Sequence, residues 1–190
     1  MTKYKTILYV ILSLAIAACE RPAPPATDEA APAFNINDFV AQQVDRLESR
    51  RPTVLKTVRT EGQPSETIET DSINWEEELA VFQEADVNRP AVQEYYTEQK
   101  KQLPNGNTSL QYTRAEGAEA PVTYLHLILR PDNQLEYLEA VLQDQNPLFY
   151  TKRRISLTTD ANTGLQRYAI EGVQKLVLND SLHYSVNAQL

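Results

Sequence analysis

Cysteine occurs once in this chain, at position 19, and histidine only twice, at 126 and 183. A single thiol excludes an intramolecular disulfide, so stability has to come from packing alone. Neither histidine has a second ligand at helical or alternate-strand spacing, and no metal site is expected. His126 is expected within a sheet, bonded through Tyr124 or a backbone carbonyl, and His183 at the surface. No G-x-S-x-G elbow, phosphate-binding loop or dinucleotide fingerprint is present. A serine–histidine–aspartate triad assembles from distant positions and leaves no local signature, yet nothing points to one. The expectation is therefore not an enzyme, and no cofactor is implied. Positive charge is also short. The net charge of −8 argues against nucleic acid and against spreading on anionic lipid.

Long apolar runs are missing as well. The longest, Ile7 to Ala18, is broken only by Ser13 and follows Lys3 and Lys5. Twelve helical residues reach only ~18 Å, short of a bilayer core of ~30 Å. A positive start, a short apolar stretch and the small residues Ala15, Ala17 and Ala18 make the tripartite pattern of a secretory signal over 1–18. Ile16-Ala17-Ala18-Cys19 resembles the lipobox of bacterial cell-envelope lipoproteins. That resemblance implies a diacylglycerol on the Cys19 thiol, cleavage just before it, and acylation of the new amino group, with palmitate among the chains. It also implies a place in the cell envelope, facing the periplasm, with the outer membrane the expected membrane. Two other readings stay open: cleavage after Ala15-Ile16-Ala17, which frees a soluble protein, and an uncleaved anchor. Each buried CH₂ of a lipid chain contributes about 0.8 kcal/mol, so two or more chains hold firmly.

Residues 19–33 are the tether. Prolines 22, 24, 25 and 32 favour an extended polyproline conformation, and nothing there can build a core. Residues 34–190 suffice for one domain. Ile36, Phe39, Val40, Val44 and Leu47 predict a helix over 34–51, capped by Asn35 or Asn37 and ended by Pro52. A hairpin is expected over 52–71, turning near Gly62 and Pro64. Asn74, with Glu77 three residues on, predicts the start of a second helix running to Ala85. Residues 91–103 fit a helix face, but Asn105-Gly106 just beyond favours a strand.

From Thr108 the pattern is strand after strand: 108–114, 121–130, 134–143, 148–159, 165–178 and 182–188. Turn residues punctuate them, and short connections imply an antiparallel meander. The expected class is α+β, a curved sheet of about six to eight strands packed by two short N-terminal helices. Strand 121–130 carries apolar residues on both faces and is expected to be covered on both. This architecture resembles small envelope lipoproteins of unknown function. It also resembles the half-barrel lipoprotein carriers whose concave sheet holds acyl chains, although no motif matches theirs.

The densest basic cluster is Lys152, Arg153 and Arg154. Alternation places Arg153 on the face of Ile155 and Leu157, and Lys152 with Arg154 on the face of Tyr150. An apolar-face arginine has to be paired or reach the rim. Arg153 therefore reads either as an ion pair with a neighbouring strand's carboxylate, such as Glu139 or Glu171, or as a guard over an anionic ligand or headgroup. The tyrosines, nearly one per strand, fit core and rim packing better than ligand binding. The expected function is non-catalytic binding or a structural role, with an envelope protein or an apolar ligand as partner and the membrane reached through the lipid anchor. The alternative is lipid or lipoprotein handling in a sheet-lined apolar cavity. An envelope hydrolase ranks last.

Overall fold

The computed structural model describes residues 34–176 and 180–190. The signal segment, Cys19 and the tether lie outside the described residues, as does the end of the strand expected over 165–178. Helix α1 spans Ile36–Arg50 and α2 spans Trp75–Gln83. Nine strands follow the order β1 Val54–Thr60, β2 Glu66–Thr70, β3 Tyr96–Gln102, β4 Thr108–Arg114, β5 Val122–Leu129, β6 Leu135–Asn146, β7 Phe149–Asp160, β8 Gly164–Leu176 and β9 Leu182–Gln189. They form one antiparallel sheet in the spatial order β2-β1-β9-β8-β7-β6-β5-β4-β3. The class is α+β with a β-meander. No helix among the described residues is long and apolar enough to cross a membrane.

The count of nine corrects the expected six to eight. The added strand is β3, from the segment whose sequence fitted two conformations. Only one 3₁₀ turn, Gln93–Tyr95, precedes it, and the turn at Gly106 then pairs it with β4. The meander alone would also have left β1 and β2 as a separate hairpin. Instead β1 pairs with β9, Leu55 opposite Gln189 and Arg59 opposite Ser185, so the last strand of the chain joins the first hairpin to the sheet.

Both helices begin on an asparagine. Asn35 accepts the Asp38 amide at 3.0 Å and Asn74 accepts the Glu77 amide at 3.3 Å, each satisfying one free donor of the first turn. At the far end of α1, Arg51 takes the left-handed conformation and its amide returns to Leu47, which stops the helix before Pro52. Ile36, Val40 and Leu47 of α1 and Trp75, Leu79 and Phe82 of α2 are buried. They face Leu125, Leu127, Leu138, Ile155, Leu157 and Tyr168 of the sheet, all at most 2% exposed.

The helices pack on one face of the sheet. On the other, Tyr124, His126 and Ile128 are half-buried, so β5 is not sealed on both sides as its composition suggested. A bulge between Val122 and Tyr124 also shifts the alternation. Val122 joins Leu125 in the core, and Thr123 is left to donate its hydroxyl to the Val141 carbonyl at 3.1 Å.

Polar contacts also tie the helices to the sheet. Glu78 of α2 accepts from Lys56 Nζ of β1 at 2.7 Å and from the Tyr168 hydroxyl of β8 at 2.5 Å. Gln43, buried in the middle of the α1 stripe, accepts the Leu165 amide at 2.9 Å. Gly164 beside it has φ +80°, and a Cβ there would lie 2.6 Å from Gln43 Oε1. Replacing Gln43 leaves a buried amide without a partner, which costs about 1–3 kcal/mol. Gln43→Leu is therefore expected to lower the urea midpoint although it adds apolar surface, and an unchanged midpoint would refute this role.

Candidate functional site

The strand register decides where the basic cluster points. Arg153 lies on the helix face, and its carboxylate is neither Glu139 nor Glu171. It belongs to Glu84, just past the end of α2, held by two bonds of 3.1 and 2.5 Å. The contact spans 69 positions of chain, a distance no strand alternation could reveal. Arg154, on the face of Tyr150, is the one that holds Glu139, at 3.1 Å. The cluster is thus divided: Arg153 secures a helix, while Lys152 and Arg154 stand on the open face.

A groove of about 610 Å³ lies on that open face. Arg59 of β1 forms one wall, and Lys152 and Arg154 of β7 form the other, with Glu171, Val173, His183 and Ser185 between them. A second hollow of about 450 Å³, with Leu55, Thr57, Ser156, Ala169 and Asn187 in its lining, continues it along the same strands. The register explains the depth. Ser156, Ala169, Ser185 and Asn187 are short side chains on neighbouring strands, flanked by Tyr137, Arg154 and Arg59. His183 is exposed, as expected, and its backbone amide donates to Glu61 Oε2 at 3.3 Å.

Beside the groove runs a polar layer. Arg154 fixes Glu139, which also accepts from the Tyr137 hydroxyl at 2.7 Å. Burial first, and that carboxylate second, push Tyr137 up to about 12. His126 stands opposite Glu139 and meets Tyr137 edge-on at 5.9 Å. Its Nε2 is 3.0 Å from Ser109 Oγ, a partner other than the expected Tyr124 or backbone carbonyl. Burial lowers its pKa, opposed by the Glu139 charge.

Ser109, His126 and Glu139 include the residue types of a nucleophilic triad. Yet Ser109 is 7% exposed, in a strand whose backbone is laddered on both sides, so no set of free amides faces it as an oxyanion hole would. The arrangement is a satisfied polar layer. Among the described residues no three histidine, cysteine or carboxylate side chains converge as a metal site.

Two outcomes follow. Arg153 and Glu84 side chains are 30% and 45% exposed, so their pair is screened and contributes modestly. Arg153→Ala should cost about 1 kcal/mol and Lys152→Ala within about 0.5, measured by chemical unfolding. A loss of about 3 kcal/mol at Arg153 would instead mark a buried pair. The second concerns alkaline pH. An unfolded tyrosine ionises near ~10, whereas folded Tyr137 holds its proton to about 12. Stability present below the lower value is lost as pH rises through the upper one, because the unfolded chain releases the proton first. Tyr137→Phe should flatten part of that fall, and an unaltered alkaline profile would contradict the assignment.

Compared with protein-family models, with curated proteins and with solved structures, the chain matches none.

Proposed function

We propose that this is an exported, lipid-anchored protein of the cell envelope with a non-catalytic binding role, and that its binding surface is the open face of the sheet. The observation that carries the binding role is the groove between β1 and β7. Its walls carry Arg59 and Lys152, neither of which has an ion pair among the described residues. Charges on strands usually balance their cross-strand neighbours, so cations left free around a hollow favour a ligand over a purely structural use. The anchor rests on the lipobox-like Ile16-Ala17-Ala18-Cys19, and the outer membrane is its expected site.

The second reading, acyl chains carried in a sheet-lined apolar cavity, has weaker support. The volume between helices and sheet, where such a cavity would lie, holds Trp75, Leu79, Phe82 and Tyr168 at 2% exposure or less. It is favoured only by Leu55, 48% exposed at the end of the open-face groove.

Metabolic labelling with a palmitate analogue should mark the wild-type chain and leave Cys19→Ser unmarked. An unlabelled wild type whose mature chain begins at Ala18 would refute the anchor. For the binding role, a photoreactive side chain in place of Asn187, in the hollow that continues the groove, should crosslink an envelope component in cells. One in place of Glu77, on the exposed side of α2, should not. Equal yields from both would remove the case for the groove.

A further inference from the structure

We infer that the end of the groove between Arg59 and Lys152 is a site for a phosphate ester that also bears a hydroxyl or amine. This deepens the binding role proposed for the open face and rests on it. The first ground is segregation of charge. The chain carries −8 overall, but the register places Arg59, Lys152, Arg154, Arg167 and Lys175 on the open face of β1, β7 and β8. Against them stand the carboxylates of Glu139 and Glu171 on these strands and of Glu61, just past β1 in the groove lining. Of the five cations, only Arg154 makes an ion pair among the described residues.

The second ground is placement. Lys152 lies between Gln143 and Val173 in register and Arg59 opposite Ser185, so no carboxylate is directly opposite either; Glu61, two residues past Arg59, and Glu171, diagonal to Lys152, line the same groove. A cation with no carboxylate directly opposite gains no cross-strand ion pair. Three strand spacings separate β1 from β7, about 14 Å between backbones. Two long cationic side chains reaching inward leave a gap of oxyanion size, floored by the Ser185 hydroxyl and the His183 ring. Arg154 is held by Glu139, itself held by Tyr137, so one guanidinium is fixed before any ligand arrives.

Glu171 sets the rest of the chemistry. It stands opposite Arg154 in the floor of the same groove, with no side-chain hydrogen bond or ion pair among the described residues. A bare phosphate would meet its repulsion. An ester that also donates from a hydroxyl or amine would satisfy it. Headgroups of phospholipids have this chemistry, and so do small soluble phosphate esters. The overall negative charge still opposes spreading on anionic lipid, which confines the contact to one headgroup in one groove.

The test uses the full chain carrying Cys19→Ser, with glycerol phosphate as the soluble probe and vesicles of phosphatidylglycerol or phosphatidylcholine as the lipid probe. Phosphorus NMR should show glycerol phosphate broadened by the protein, less so as salt is raised. Arg59→Gln with Lys152→Gln should weaken binding by about tenfold or more, the scale of lost charge-assisted hydrogen bonds. Lys100→Gln with Lys101→Gln, on β3, should leave it unchanged. Binding of glycerol phosphate alone assigns a soluble ligand. Added, variant-sensitive preference for phosphatidylglycerol over phosphatidylcholine assigns a lipid headgroup. Neither probe bound, or equal loss in both double variants, overturns the phosphate site. If neither probe binds but crosslinking from position 187 persists, the phosphate assignment falls and the groove's binding role stands.

Discussion

Glu78 is the contact on which the arrangement of layers depends. Its carboxylate gathers Lys56 from β1 and Tyr168 from β8, two strands that do not touch each other but both flank β9. With one carboxylate, α2 thus spans the strand that closes the sheet. Tyr168 is 2% exposed, and burial, reinforced by Glu78, drives its ionisation far above the usual range. A neutral phenol donating to a carboxylate beside an ammonium leaves few buried polar atoms unanswered. The hydrophobic contacts of Trp75, Leu79 and Phe82 supply most of the driving force, but they are not directional. The carboxylate supplies the register between helix and sheet.

The segments with strong local grammar were legible in the sequence. Asn74 announced the start of α2, the cap of α1 was narrowed to Asn35 or Asn37, and 108–114 was placed to the residue because turn chemistry bounds it on both sides. Period-two alternation correctly divided Arg153 from Lys152 and Arg154. What alternation cannot carry is partnership. Glu84 comes to Arg153, and β9 to β1, only when the whole chain is folded. The bulge at Val122 was equally hidden, because Thr123 and Val122 are both good strand formers and nothing local distinguishes an inserted residue.

The candidate site was half legible. A basic run in an acidic chain drew attention to 152–154, and two of its three residues line the groove. Arg59 belongs to the opposite wall and carried no signal, being an ordinary alternating residue of the first hairpin. Gln43 was missed for a related reason. A polar residue in an apolar helical stripe reads as an interruption until its acceptor is seen on the Leu165 amide. A signal did exist: Gly164, in the turn before β8, marks where another element approaches closely.

The pairing of β1 with β9 also sets an order of events. Each strand from β4 to β9 can zip onto its predecessor as it emerges, through short turns and local contacts. The first hairpin cannot. Its strand β1 has to wait, with one ladder edge open, until β9, up to Gln189, has left the ribosome. The sheet therefore completes only once β9 is free to pair, and a chain cut short before Leu182 would keep its meander but lose the strand that joins the hairpin to it.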